Sequence, residues 1–143
     1  MITEVTVENE TTWAEMCVVL WPNHTSEEFL NARKNGEYRN EFLYSYSEKY
    51  IGFLSLSIRN DYVEGTSTSP VGYVEGIYVL PDYRNKGIAK EFISFAKEWA
   101  LKNRCKELAS DCEINNLDSF EFHKKLGFKE ANRIICFTMD LKK

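Results

Sequence analysis

A short turn from Arg84 to Ala89 has the residue types of a phosphate-binding loop, and it reads Arg-Asn-Lys-Gly-Ile-Ala. It lies between an apolar stretch with strand character and a stretch with helical spacing. Gly87 lets the backbone approach a ligand closely, and the first turn of the following helix presents unpaired N–H groups and a partial positive charge. Such a helix start binds a pyrophosphate. A glycine before a helix is also ordinary turn chemistry, so the turn alone leaves both interpretations open.

Two carboxylates are expected near that turn. Glu75 precedes Gly76 on the apolar strand, and Asp111 ends the neighbouring strand. Ligands of open α/β sheets bind at the carboxyl ends of parallel strands, so we expect both side chains to face one cleft. A primary amine is mostly protonated at neutral pH, and a carboxylate beside it can hold the ammonium and accept its proton. Glu75 is the candidate base, and the alternative for both residues is a solvated acid at a strand end.

The elements that position these residues are predicted from hydrophobic periodicity. Thr11 and Thr12 are candidate N-caps, Thr25 and Glu28 have capping-box spacing, and Gly127 is a candidate C-terminal cap. Residues 41–58 have the pattern of a hairpin, and residues 71–112 that of a β-α-β unit. The predicted strands cover residues 2–7, 41–46, 50–58, 71–80, 107–112 and 133–141, and the predicted helices cover residues 13–21, 25–36, 87–102 and 116–126.

The composition predicts one globular domain over residues 1–143, because 43% of the residues are hydrophobic and 28% are charged. The net charge is −4, and the charges are segregated along the chain. Residues 1–83 hold 5 basic and 13 acidic side chains, residues 84–106 hold 7 and 2, residues 107–121 hold 0 and 5, and residues 122–143 hold 6 and 2. Acidic blocks of this size disfavour a nucleic-acid partner. They suit a protein with one anionic and one cationic ligand, or are merely solvated faces.

Metal, disulfide and membrane chemistry are not expected. The four cysteines form no C-x-x-C pair and are predicted to be reduced core thiols, and the only histidines are His24 and His123. We therefore expect no metal. No apolar run approaches the roughly 20 residues that cross a bilayer, and the N-terminus lacks the pattern of a signal peptide. A cytoplasmic protein with no membrane partner is predicted.

Two separate motifs resemble the signatures of the GCN5-related N-acetyltransferase (GNAT) superfamily. In the first, Arg84, Gly87 and Ala89 follow an apolar strand and precede an amphipathic helix. In the second, Asn116 lies seven residues before His123, which is followed by Lys-Lys-Leu-Gly-Phe. The resemblance covers nearly the whole chain. It implies an α/β fold with a mixed, mostly antiparallel twisted sheet, a splayed central parallel strand pair, and about four flanking helices.

The resemblance also implies acetyl transfer from acetyl-coenzyme A to an amine without a covalent enzyme intermediate. The cofactor's pyrophosphate would lie on the backbone amides of residues 86–90, and its pantetheine arm in a slot where the central strand splays near residues 76–79. A backbone N–H near Val79 would polarise the thioester oxygen. The residues implied in cofactor binding are Ile77, Val79, Arg84, Lys86, Gly87, Ile88, Ala89, Lys90 and Asn116.

Several local stretches resemble one branch of that superfamily, the short aminoglycoside 6′-N-acetyltransferases. They include Leu-Trp-Pro-Asn-His at residues 20–24, Ile-Arg-Asn-Asp-Tyr-Val-Glu-Gly at 58–65, Glu-Gly-Ile-Tyr-Val-Leu-Pro at 75–81 and Ala-Ser-Asp at 109–111. The resemblance implies a polycationic sugar as acceptor and a resistance function. Its implied substrate-binding residues are Trp21, His24, Tyr62, Glu75 and Asp111. Trp21 and Tyr62 have the alternative of core or loop packing.

Several alternatives stay open. His123 stands where many members of the superfamily carry a tyrosine that protonates the departing thiolate, so it is either that acid or a packing and hydrogen-bonding residue. The acceptor is alternatively a polyamine, a small metabolite amine or a protein amine, and a non-catalytic acetyl-coenzyme A sensor is a further possibility. The resemblance suggests a homodimer. Ile134, Ile135 and Phe137 would supply its interface or pack inside one chain.

Overall fold

A five-stranded mixed sheet forms the centre of the chain in the computed structural model, which describes residues 1–142. The strands lie in the order β1-β2-β3-β4-β5. The first three pairs are antiparallel and the β4–β5 pair is parallel, which confirms the predicted mixed, mostly antiparallel sheet. The strands are β1 (Ile2–Glu4), β2 (Asn40–Tyr46), β3 (Lys49–Arg59), β4 (Val71–Val79) and β5 (Leu108–Ser110).

Helices cover both faces of the sheet, because its strands alternate apolar side chains between two clusters. Leu43 and Phe53 point to a cluster that contains Trp13 and Phe29. Their neighbours along the strands point to the other cluster, around Phe92. The helices are α1 (Glu10–Leu20), α2 (Ser26–Lys34), α3 (Ile88–Lys102) and α4 (Leu117–Lys125), and a short 3-10 helix covers Pro81–Tyr83. No helix within residues 1–142 combines the length and the apolar content needed to cross a membrane.

Local capping signals explain where several helices begin and end. The Thr25 hydroxyl accepts a hydrogen bond from the Glu28 N–H at 3.2 Å, which confirms the predicted cap of α2. Gly127 follows α4 with φ +97°, as the predicted C-terminal cap requires. The prediction for α1 is displaced: the helix begins at Glu10, so Thr11 and Thr12 lie in its first turn and do not cap it.

A β-bulge interrupts the ladder between β3 and β4. Ser55 pairs with Gly76 and the next residue, Leu56, pairs with Val74, so Glu75 is the extra residue on β4 and has no partner across the ladder. Bulges re-aim a side chain and increase local twist. The chain therefore presents Glu75 at an irregularity in the middle of its sheet.

The parallel pair separates just beyond that bulge. The β4–β5 ladder runs from Gly72↔Leu108 to Val74↔Ser110 and ends there, so the second half of β4 has no neighbour on that side within the described residues. The Leu80 N–H donates to the Ile51 carbonyl at 2.8 Å. Alternation along the strand then turns the N–H and C=O of Val79 away from β3, towards the open side. The expected splay of the central pair is confirmed.

The sequence prediction fails at the C-terminus. Residues 133–141 form no strand in this chain, and the side chains of Ile135 and Phe137 are 80% and 87% exposed. Their alternating pattern is that of a strand, but a strand needs a neighbour to complete its hydrogen bonds, and no other strand among residues 1–142 pairs with them. The strands predicted over residues 2–7 and 107–112 are shorter, covering Ile2–Glu4 and Leu108–Ser110.

Candidate active site

A cleft of about 760 Å³ opens beside the bulge. Its walls come from the end of α1, from α2 and the segment after it, and from β2, β3 and β4. The size is that of a small-molecule site. Its lining includes Trp21, His24, Glu37, Glu41, Glu75 and Asp111, and we call it the acidic cleft. It brings together four of the five predicted substrate-binding residues.

The charge of the acidic cleft is predominantly negative. Four acidic side chains line it, of which Glu37, Glu75 and Asp111 supply the negative charge because burial raises the pKa of the fourth, Glu41, and Arg39 is the one Lys or Arg among the described residues that line it. Low-dielectric walls lined by one sign of charge focus the field and concentrate ligands of the opposite sign. The cleft is therefore suited to a cationic ligand.

Glu75 reaches the cleft from the bulge of β4 and is already bound to protein groups. The Arg59 guanidinium donates to its carboxylate through Nε at 3.1 Å and through Nη2 at 2.9 Å to each oxygen. The Ser57 hydroxyl donates to Oε2 at 2.5 Å. These donors fix the carboxylate and balance part of its charge. Arg59 is a residue that the sequence reasoning missed, because the bulge at Glu75 shifts the register between β3 and β4 and alternation alone does not reveal it.

Asp111 lies after β5 and accepts a hydrogen bond from the Tyr73 hydroxyl. Burial and this bond raise the pKa of Tyr73 well above its ordinary value. The Arg59 guanidinium lies 3.4 Å from the centre of the Tyr73 ring. Arg59 and Tyr73 therefore connect Glu75 to Asp111 through a continuous set of contacts, and sequence reasoning missed both connecting residues.

Trp21 lines the cleft and also packs against the hydrophobic core. Its ring lies 5.8 Å from each of Phe29 and Phe53, measured between centroids. A Cβ placed on Gly76 would lie 2.6 Å from Trp21 Cη2, so glycine is required there for the indole to approach the strand. Both interpretations of Trp21, pocket wall and core packing, thus describe the same side chain.

The other two predicted substrate residues lie at the periphery. The His24 Nδ1 is 3.0 Å from Glu28 Oε2 at the rim of the cleft, and this contact lowers the pKa of Glu28. Tyr62 is 76% exposed and is absent from the lining of the cleft. The role of Tyr62 stays a prediction.

Glu41 is a buried acid that the sequence reasoning did not single out. It lies on β2, and the hydrophobic surroundings raise its pKa to about 8. The alternation of residues 41–46 placed it on the strand without indicating which face is buried. Its 2% exposure shows that it belongs to the interior wall of the cleft.

The predicted phosphate turn has a free helix start. Gly87 has φ +85°, and a Cβ placed on it would meet no atom within 4 Å. The first bond of α3 runs from the Glu91 N–H to the Gly87 carbonyl at 3.0 Å, so the N–H groups of Ile88, Ala89 and Lys90 precede the helical ladder. Open space and unpaired donors lie at one point, as an anion site requires.

Other predicted cofactor residues have structural roles of their own. The Arg84 Nε donates to the Val79 carbonyl at 2.7 Å and braces the end of β4. The Lys86 ammonium lies 5.7 Å from the centre of the Tyr83 ring. Asn116 caps α4, because its Oδ1 accepts from the Ser119 N–H at 3.1 Å. The predicted contacts of Arg84, Lys86 and Asn116 with the cofactor stay predictions.

Both ring nitrogens of His123 are close to polar groups. Nδ1 lies 2.7 Å from the Ser119 carbonyl, which can only accept, so Nδ1 carries a proton in this arrangement. Nε2 lies 2.8 Å from the Ser110 hydroxyl, and the ring packs edge-on against Phe128. His123 thereby joins α4 to the end of β5, beside the opening between β4 and β5.

The sequence profile described as the acetyltransferase (GNAT) family matches residues 6–128. The chain belongs to this family. The match includes the bulge of β4, the turn at Gly87 and the acidic cleft, so the described geometry is that of a GNAT acetyltransferase domain.

This GNAT chain is similar to named relatives over most of its length. It is 39% identical over 128 residues to an aminoglycoside N(6')-acetyltransferase type 1 from Acinetobacter genomosp. 13, covering 87% of this chain and 88% of that protein. A crystal structure of the 6'-N-acetyltransferase AAC(6')-Ig from Acinetobacter haemolyticus is 34% identical, with a TM-score of 0.93 and 99% of each chain covered. AAC(6')-Iy in complex with the bisubstrate analog CoA-S-monomethyl-acetylneamine is 33% identical, with a TM-score of 0.90, 98% of this chain and 97% of that chain covered.

The cysteines of this GNAT chain differ from the expectation of core thiols. Cys17 and Cys105 are buried, whereas Cys112 and Cys136 are exposed, and all four are free. Burial raises the pKa of Cys17 and Cys105. Within residues 1–142, no three or more His, Cys, Asp or Glu side chains form a group that could hold a metal ion.

Proposed function

We propose that this chain is an aminoglycoside 6′-N-acetyltransferase, which transfers the acetyl group of acetyl-coenzyme A to a primary amine of the drug and confers resistance. The observation that carries the proposal is the position of the acidic cleft. It opens at the Glu75 bulge, where β4 parts from β5 and leads to the free helix start at Gly87. A cationic acceptor and an anionic donor can therefore meet at one strand.

The donor side of this proposal rests on unpaired backbone groups. The N–H groups of Ile88, Ala89 and Lys90 would hold the pyrophosphate of acetyl-coenzyme A, and the open space at Gly87 would admit it. The outward N–H groups of Ile77 and Val79 would pair with the pantetheine arm and polarise the thioester oxygen. The bound cofactor supplies the activated acetyl group.

The acceptor side rests on the carboxylates and aromatic side chains of the acidic cleft. Glu75 and Asp111 would bind ammonium groups, Trp21 would lie against a sugar ring, and His24 would contact the substrate at the rim. Tyr62 would reach the drug from its exposed loop. Long-range attraction to the negative cleft would speed capture and weaken with added salt.

The acceptor amine must lose a proton before it attacks the thioester carbon. Glu75 would accept that proton, directly or through one water, while Arg59 and Ser57 hold its carboxylate. The nitrogen would then form the new C–N bond, the C–S bond would break to release the coenzyme A thiolate, and the second proton of the nitrogen would pass to that thiolate or to water, which leaves a neutral amide. Coenzyme A leaves readily as a thiolate, and both nitrogens of His123 are engaged, so we assign His123 to orienting α4 at the splay rather than to protonating the thiolate.

Thiol release from acetyl-coenzyme A, with kanamycin, tobramycin, spermidine and a lysine peptide as parallel acceptors, tests the proposed function. Release with the two drugs alone, reduced in Glu75→Gln and Asp111→Asn, is expected. The exposed Glu98→Gln variant is a matched control for the loss of one carboxylate. Release with spermidine or the peptide alone would overturn the drug as substrate, and coenzyme A binding without release to any amine would favour a sensor.

We further propose that the chain acts in the cytoplasm as a homodimer. The support is the exposed, alternating apolar pattern of residues 133–141, which finds no strand to pair with among residues 1–142. A second copy would cover these side chains, and each one fully buried contributes about 1.5–3 kcal/mol.

A further inference from the structure

Glu41 is held by neutral donors inside the wall of the acidic cleft. It is 2% exposed, its Oε1 accepts from Trp13 Nε1 at 2.9 Å, and its Oε2 lies 2.7 Å from the Ser55 hydroxyl. Ser55 is also its partner across the β2–β3 ladder and pairs with Gly76 on the other side, next to Glu75. Glu41 on β2 and Glu75 on β4, the acid that we assign to the acceptor amine, therefore lie on opposite sides of β3.

The charged and titratable groups around Glu41 do not neutralise it. Cys17 faces it from α1, Arg33 from α2, Tyr38 from the segment after α2, and Glu75 from β4. Arg33 is the cation that favours its ionised form, but this guanidinium already binds Glu10 at 3.3 Å and the Tyr38 carbonyl at 2.9 Å. With its pKa raised to about 8 by burial, Glu41 is mostly protonated at pH 7.

We propose that Glu41 is a third acidic determinant of acceptor specificity, which is neutral in the empty cleft and ionises when a multiply protonated amine occupies it. The ammonium groups of the ligand supply the positive charge that the interior lacks, and the proton of Glu41 passes to solvent. The choice of ligand class rests on the proposed function. A neutral sugar would leave Glu41 protonated and gain no such attraction.

The linkage between cation binding and the ionisation of Glu41 has a definite sign. Cation binding favours the ionised form, so the Glu41 contribution to affinity grows as the pH rises through the Glu41 pKa and levels off above it. Below that pKa, ligand binding releases a proton. Above it, Glu41 is already ionised and releases none. A purely structural role in packing Trp13 against Ser55 would produce no proton release.

Calorimetric titration at pH 7 in phosphate and in Tris measures this release, because the two buffers differ in ionisation enthalpy. The ligands are kanamycin and spermidine, and the variants are Glu41→Gln and, as matched control, the exposed Glu15→Gln. Proton exchange by the ligand itself is common to all proteins and cancels. We expect the unmodified chain and Glu15→Gln to release about half to one proton more than Glu41→Gln. Equal proton counts would overturn the inference.

A second variant covers the case in which Glu41→Gln does not fold. Ser55→Ala removes a hydrogen bond that favours ionised Glu41, so its release at pH 8 should exceed that of the unmodified chain. Unchanged release in Ser55→Ala would overturn the inference.

The titrations also separate this inference from the proposed function. If spermidine binding releases a proton that depends on Glu41 and the chain does not acetylate kanamycin, the inference about Glu41 holds and the proposal of a drug substrate is wrong. If the chain acetylates kanamycin but the unmodified chain and Glu41→Gln release equal numbers of protons, the proposed function holds and the inference about Glu41 is wrong. Absence of binding by both amines would overturn the inference.

Discussion

Arg59 and Glu75 form a two-pronged ion pair beside the acidic cleft, which Glu75 lines, with the Arg59 Nη2 2.9 Å from each carboxylate oxygen of Glu75. The pair is partly exposed to solvent. Glu75 therefore meets its substrate as a carboxylate that already has a cationic partner. An incoming ammonium must share the carboxylate with the guanidinium or take its place, and the alignment of Glu75 depends on the same guanidinium.

Arg59→Gln should separate these two effects. Without the competing cation, the dissociation constant of tobramycin is expected to fall about three- to tenfold, as about 1 kcal/mol for a partly exposed ion pair implies. The turnover number should fall as well, because Glu75 loses its alignment. Calorimetry without acetyl-coenzyme A measures the first quantity and steady-state thiol release the second. Arg104→Gln, at an exposed position just after α3, is the control. Weaker tobramycin binding would contradict the competition.

The ion pair also shows what local sequence patterns can and cannot predict. The turn at Gly87 and the cap at Thr25 depend on residues within a few positions of each other, and these local predictions located the starts of α3 and α2. The contact between Arg59 and Glu75 joins two strands across a ladder whose register jumps at the bulge. A one-residue shift of register turns every side chain to the other face, so a pairing beyond the bulge cannot be deduced without the structure.

Two other residues show the same limit from different causes. The alternation of β2 placed Glu41 on a strand, but its burial depends on α1 and α2 packing over that face. The alternating pattern of residues 133–141 wrongly predicts a strand, because none forms there among the described residues. Strand formation needs a partner that periodicity does not specify.

Gly87 and Gly127 offer a matched test of the phosphate turn. Both have positive φ, at +85° and +97°, and a Cβ on either would meet no atom within 4 Å. Gly87→Ala and Gly127→Ala should therefore lower the free energy of unfolding by a similar amount, roughly 1–2 kcal/mol, because alanine is strained at positive φ. Only Gly87→Ala is expected to raise the KM for acetyl-coenzyme A, by about tenfold or more, because its methyl group enters the proposed phosphate space. Thermal unfolding and cofactor titration of both variants measure the two quantities. Equal KM values would count against the assigned site.

His123→Gln tests whether the imidazole is an acid or a positioning group. Because both nitrogens already have partners, we expect a fall in turnover of less than about tenfold and an unchanged alkaline limb in its pH profile between pH 6 and 9. Stability should fall by about 1 kcal/mol for each hydrogen bond lost. The neighbouring Lys125→Gln is the control. A hundredfold loss of turnover, together with loss of the alkaline limb, would instead assign the acid role to His123.

The exposed C-terminal segment predicts how the chain associates. Every second residue of this segment is apolar, and these side chains are 80–87% exposed: Ile135, Phe137, Met139 and Leu141. One apolar row is therefore uncovered in a single chain. Exposed rows of this kind mark interaction surfaces. The double variant Ile135→Asp, Phe137→Asp should convert a dimer into a monomer in light scattering after size exclusion. Lys142→Asp, which changes charge without changing the apolar row, should remain dimeric. A monomeric unmodified chain at micromolar concentration would contradict the homodimer.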